Sequence, residues 1–260
     1  MSFFSSSSQA SLLSPNGEHS SSPEKSPLVI VLLGPPGVGK GTHALSLSAH
    51  FCLPHVSTGN LFRDEMRKRT PLGNTMASYI NRGELVPDEI VVRILLNRLH
   101  REDCKRGYII DGFPRAIEQV PVLEKNLPPL SSLTAVEFHA SASTILERIL
   151  GRILCSGCQA SFHRKFFPSK KPGICDYCTS PLQTRGDDTR DLVEKRLETY
   201  EKEMQPIIEH YQNIGALQSI SAEGEPKKIL SEAVRLIEEY LEKEAHHSCA
   251  RKKRLTTRGK

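Results

Sequence analysis

Nowhere in the 260 residues does an apolar run approach the ~18–20 residues a bilayer-spanning helix needs. A membrane location has no support in the pattern. A basic excess is also missing from the body of the chain. Of the net charge of +5, the final ten residues supply Arg251, Lys252, Lys253, Arg254, Arg258 and Lys260 without an acid, which leaves −1 on everything before them. A domain devoted to nucleic acid carries its basic excess on the domain itself, so no nucleic-acid partner is expected. Cysteine is too sparse for a disulfide scaffold. There are seven, of which four form two close pairs, while Cys52, Cys104 and Cys249 stand singly. That usage fits a reducing compartment. Residues 1–27 lack periodicity and hold eleven Ser and three Pro, a composition that buries too little apolar surface to order itself. No Arg precedes Arg63, which argues against an organelle transit peptide; a cytoplasmic protein with a disordered extension is expected, an organelle being the alternative. No internal repeat is present.

What the sequence does contain is concentrated early. Leu28-Val29-Ile30-Val31-Leu32-Leu33 reads as a buried strand and runs into Gly34-Pro35-Pro36-Gly37-Val38-Gly39-Lys40-Gly41-Thr42. Glycines at 34, 37, 39 and 41 let the backbone turn its N–H groups into one concavity that suits a polyanion. A helix starting near Gly39 aims its positive end at the same place. Lys40 then supplies a compact charge for the β and γ phosphates, and Thr42 a hydroxyl for phosphate or magnesium. In most phosphate loops a Ser or Thr follows the lysine directly; here Gly41 intervenes.

Five short apolar segments, Leu28–Leu33, Pro54–Ser57, Tyr108–Asp111, Thr134–His139 and Leu217–Ser221, alternate with helical patterns. Helices are predicted over 39–50, 59–69, 88–102, 116–125, 143–150, 190–212 and 226–244, with Thr189 suited to cap the long one. The alternation predicts an α/β fold: a five-stranded parallel sheet between helical layers. Two stretches interrupt it, about 57–86 and 151–188. Both read as inserts over the strand ends, where open α/β sheets bind ligands.

The second insert contains Cys155-Ser156-Gly157-Cys158 and Cys175-Asp176-Tyr177-Cys178. This spacing suits a four-thiolate zinc site, closed to water and therefore structural. An iron–sulfur cluster or two disulfides are alternatives for the same sulfurs. With four thiols competing, His163 is expected to face solvent.

The loop 34–42, Ser57-Thr58-Gly59-Asn60-Leu61-Phe62-Arg63, Asp111-Gly112-Phe113-Pro114-Arg115 with Gln119, and Arg185-Gly186-Asp187-Asp188 occur in an order and spacing that resemble adenylate kinase in its long-lid, four-cysteine form. The resemblance covers about 28–245, with an AMP-binding insert at 57–86 and a zinc lid at 151–188; a basic disordered tail, 246–260, follows. It implies reversible transfer of the terminal phosphoryl group of Mg-ATP to AMP, giving two ADP, by a monomer. By resemblance, ATP is held by Gly37, Val38, Gly39, Lys40, Gly41 and Thr42 with Arg148 and Arg152. AMP is held by Thr58, Arg63, Leu85, Val86, Gly112, Arg115, Gln119, Arg185 and Arg196. Lys40, Asp111, Arg115, Arg148, Arg185 and Arg196 serve the chemistry, Asp111 by holding water on Mg²⁺. Asp187 and Asp188 are expected to pair with arginines. Asn60 departs from the Asp common in the family. Two other readings stand beside this one: a kinase for UMP and CMP, and a non-catalytic zinc-ribbon protein binding nucleic acid.

Overall fold

The computed structural model describes residues 26–257 and the side chains of 26–246. Apart from Ser26 and Pro27, the Ser-rich extension lies outside the described residues. Strand β1 (Leu28–Leu33) sends Val29, Val31 and Leu33 to one face and Ile30 and Leu32 to the other, into two separate apolar clusters. Burial on both faces is why this strand reads as an unbroken apolar run. It lies at the centre of a five-stranded sheet ordered β2 (His55–Ser57), β3 (Gly107–Asp111), β1, β4 (Ser132–His139), β8 (Leu217–Ser221). All pairings are parallel, as the alternation predicted.

Helices complete three layers. Helices α1 (Lys40–Phe51) and α8 (Pro226–Thr257) cover one face with Ala44, Leu47, Ile229, Ala233 and Ile237. The other face is covered by α4 (Asp88–Leu99), α5 (Gln119–Lys125) and α7 (Arg190–Asn213), which contribute Val91, Leu95, Val120, Leu123, Ile207 and Tyr211. Between β3 and β4 the chain passes from one side of β1 to the other. The loops leaving β1 and β3 therefore diverge and open a crevice at the carboxyl edge. Ser57 pairs with Asp111 and Asp111 with Leu32, so three functional segments leave the sheet at one level.

Two inserts overhang that edge. The first is α2 (Thr58–Arg67), capped by Ser57, and α3 (Pro71–Ile80), capped by Thr70 with a proline in its first turn. The second follows α6 (Ala142–Leu150) and is an antiparallel sheet, β6 (Ser161–His163), β5 (Arg152–Cys155), β7 (Leu182–Gln183). Its buried apolar residues are few, Leu154 with the cluster of Cys155, Phe162 and Cys175.

Three expectations change. The last helix does not end at Glu244 but continues to Thr257, so the tail assigned to 246–260 as disordered is helical in its described part. No glycine or proline interrupts 227–257, and Ala, Glu, Lys and Arg favour helix. His163 does not face open solvent: it is half-buried, its Nε2 lies 3.2 Å from the Glu147 carbonyl oxygen and its ring stacks on Phe166. Thr189 occupies the N-cap position of α7 without a side-chain cap bond; Asp191 in the first turn complements the helix dipole instead.

Candidate active site

At Gly34 and Gly37 the glycine loop leaves no room for a side chain. Gly37 has φ +82°, and a Cβ there would lie 2.2 Å from Ile149 Cγ1, so α6 packs directly on the turn. Fully buried Val38 roots the loop in the core. Lys40 donates to the carbonyl oxygens of Gly34 (2.6 Å) and Pro35 (2.9 Å), closing its ammonium over the turn. Burial lowers the Lys40 pKa to about 8; Asp111 opposes the shift, while Arg115, Arg196 and Arg152 add to it by repulsion. Arg148 braces the loop from below, donating to the Val38 and Ala222 carbonyls at 2.9 Å each. Gly41 and Thr42 are exposed at the first turn of α1.

Opposite them stands Asp111, at the end of β3. Its carboxylate lies 3.7 Å from where a Gly41 side chain would begin, so it faces the start of α1. Burial pushes its pKa up, but His55, Lys40 and Arg115 outweigh this and hold it below the ordinary value. The His55 Nε2 to Asp111 Oδ2 separation is 3.7 Å, too long for a hydrogen bond, so its influence is electrostatic. An anionic carboxylate beside the phosphate loop fits a hydrated magnesium ion.

The first insert brings Thr58 and Arg63. Thr58 is buried and donates its hydroxyl to the Gly112 carbonyl at 2.9 Å; a Cβ on Gly112 (φ +88°) would meet that hydroxyl at 2.5 Å. Arg63 donates to the Asn60 side-chain oxygen, and burial followed by repulsion from Arg185 lowers its pKa to about 10. Asn60 thus keeps a carboxylate's acceptor role toward Arg63 without its charge. Arg115, exposed at the mouth of the site, donates Nε to the Gly112 carbonyl at 2.8 Å and feels the charges of Asp111, Arg185 and Asp187. Gln119 is buried under the same loop, and Leu85 and Val86 form the segment entering α4.

From the second insert and α7 come the remaining cations. Asp188 takes Arg152 Nε at 2.7 Å, and Asp187 takes Arg185 Nη2 at 2.7 Å and Arg196 Nη1 at 3.0 Å. Both aspartates therefore pair with arginines, as expected. Arg196 is lowered to about 10 by burial, with Asp187 opposing and Arg185, Arg152 and Arg115 reinforcing. Mutual repulsion among Lys40, Arg63, Arg115, Arg152, Arg185 and Arg196 records their convergence on one cavity. The three carboxylates of Asp111, Asp187 and Asp188 and the loop carbonyls neutralise only part of it, so the cavity suits a ligand with several negative charges.

Sequence reasoning missed three residues here. His43, on the first turn of α1, is buried and stacks on Phe138 with ring centroids 5.3 Å apart. Asp88 accepts from Gln119 Nε2 at 2.6 Å. His55 lies beside Asp111 with a buried Nε2 that has no hydrogen-bond partner. His43 alone was near a motif; the other two are brought in by strand order and helix packing.

In the second insert the four sulfurs of Cys155, Cys158, Cys175 and Cys178 lie within 4.8 Å of one another. A single tetrahedral zinc with Zn–S near ~2.3 Å would hold its sulfurs roughly 3.8 Å apart. The Cys155–Cys178 and Cys158–Cys175 sulfurs are 3.3 and 3.6 Å apart, far beyond a disulfide bond. Backbone N–H groups of Gly157 and Tyr177 point at Cys155 and Cys175 sulfurs, stabilising thiolates. The donor set fits one soft cation.

Comparison with known proteins agrees with this geometry. The family model described as adenylate kinase matches residues 32–216. An adenylate kinase of Clostridium tetani is 44% identical over 202 residues, covering 77% of this chain and 94% of the relative. One from Caldicellulosiruptor saccharolyticus is 46% identical over 190 residues, covering 72% and 88%. One from Caldanaerobacter subterraneus is 46% identical over 193 residues, covering 74% and 87%. With its glycine loop, converging cations and four-thiol insert, the chain belongs to the adenylate kinase family.

Proposed function

We propose the following division of labour for the reaction of this family, phosphoryl transfer from ATP to AMP. The N–H groups of 37–42 and the Lys40 ammonium hold the ATP phosphates, with Arg148 and Arg152 on the lid side. Arg63 and Arg115 hold the AMP phosphate, and Arg185 and Arg196 reach the transferring group from the lid edge and α7. The transition state is loose and highly charged, so the protein contributes alignment and preorganised positive charge. Magnesium carried with ATP neutralises charge on the phosphoryl oxygens, and Asp111 with Thr42 is suited to hold it. Thr58, Leu85, Val86, Gly112 and Gln119 form the acceptor side.

Residues 57–86 and 151–188 are read as two closing inserts, the latter stabilised by zinc with a structural role. Closure excludes water, which would otherwise hydrolyse ATP. A monomer fits an active site assembled within one chain. A cytoplasmic location fits the reduced thiols of the described cysteines.

A single observation carries this reading: the six cations from six separate segments of the chain that meet above the glycine loop. The test is ADP formation from ATP with AMP, UMP, CMP and GMP offered separately. AMP is expected to react fastest. Turnover with UMP or CMP but not with AMP would replace the acceptor assignment.

A further inference from the structure

Gln119 is buried, and its amide is held at both ends. The carbonyl oxygen accepts the Arg115 backbone N–H at 2.8 Å, and Nε2 donates to Asp88 Oδ1 at 2.6 Å. The chemistry of the partners fixes which end is which. A backbone N–H can only donate and a carboxylate can only accept, so the oxygen must face Arg115 and the nitrogen Asp88. Rotating the amide by half a turn would set an oxygen against a carboxylate and an NH2 against an N–H. After these bonds the amide retains one free N–H and one free oxygen lone pair, in a fixed left-to-right order.

That order distinguishes purines. Adenine offers an acceptor at N1 beside a donor at N6; hypoxanthine offers the reverse, a donor at N1 beside an acceptor at O6. We propose that Asp88 is a positioning residue that sets acceptor-base selectivity by locking the Gln119 amide in the orientation complementary to adenine. The proposal rests on the acceptor-pocket assignment of Gln119 made above. Asp88 itself stands on the first turn of α4, 31 positions from Gln119 in sequence, and touches the base only through it.

The measurement is kcat/KM for AMP and for IMP, with ATP saturating, in the wild type and in the D88N and D88S variants. Asn and Ser both donate as well as accept, so either tolerates a turned amide. Leaving one buried polar group mispaired costs on the order of tenfold. The AMP-over-IMP ratio is accordingly expected to fall about tenfold in D88N, and D88E, which keeps an acceptor-only group, to preserve more of the ratio. A purely structural role at the start of α4 would lower both substrates together and leave the ratio where it was, and that outcome in either folded variant overturns the proposal. Q119L separates the two layers. If it binds AMP as well as the wild type, the pocket assignment fails and this inference with it. If it loses AMP while D88N and D88S keep the wild-type ratio, only the role of Asp88 fails.

Discussion

His43 shows how much the setting of one side chain matters beside the phosphate loop. Burial, followed by the nearby positive charge of Arg148, lowers its pKa to about 4. The folded protein therefore keeps it neutral at pH values where the unfolded chain, with an ordinary value near 6.5, takes up a proton. The sign follows directly: the unfolded state binds more protons between pH 6.5 and 4, so stability falls as pH drops through that window. The full span corresponds to about 3 kcal/mol. His43→Gln should unfold with a visibly shallower loss between pH 6.5 and 4 in urea titrations; a slope equal to that of the wild type would remove His43 as the source. Lys40 illustrates the opposite degree of legibility. Its place after the glycines was evident because the loop's chemistry is local. The bonds of Arg148 to Val38 and Ala222 span 110 and 74 positions, and no spacing in the sequence announces them.

Among the elements, strands and helices with strong periodicity emerged within a few residues of their expected ends, because β1 is buried on both faces and α1, α4 and α7 each carry a clear apolar stripe. The exceptions have local causes. Helix α5 begins at Gln119 rather than Ala116, the intervening residues forming a turn in which the Gln119 N–H bonds to the Ala116 carbonyl. Helix α8 runs past its expected end because the charged residues after Glu244 are good helix formers and neither Gly nor Pro interrupts them before Thr257. The four-thiol insert has little apolar burial to stabilise it, since Leu154, Cys155, Phe162 and Cys175 are its few buried apolar residues. A domain this small requires a staple. Stripping metal with a chelator should lower the unfolding temperature by at least about 5 °C or split the transition, while ATP binding at the glycine loop persists. An unchanged unfolding curve after verified metal loss would show that the cysteines do not support the lid.

At the scale of the whole molecule, the first insert meets the second insert at one point and α7 at others. Arg67 of α2 donates to the Ser156 carbonyl in the cysteine knuckle at 3.2 Å, Lys195 of α7 lies 3.5 Å from Glu84, and Gly83 packs on Leu192. These contacts are peripheral to the cations and were invisible in the sequence, where Arg67 and Ser156 are 89 positions apart. Of these contacts, the bond of Arg67 to Ser156 joins the two inserts directly, and under the proposed closure it favours the closed arrangement. An exposed arginine's bond contributes about 0.5–1 kcal/mol, which is enough to shift a closing equilibrium two- to fivefold. Since a closed arrangement favours binding and an open one favours release, losing the contact weakens apparent affinity and does not slow product departure. Arg67→Ala should therefore raise the KM for AMP about two- to fivefold with kcat equal to or above that of the wild type, measured by steady-state ADP formation. A fall in kcat at unchanged KM would instead assign Arg67 to the chemical step, a role at odds with its side-chain bonds, which run to Asp64 and the Ser156 carbonyl.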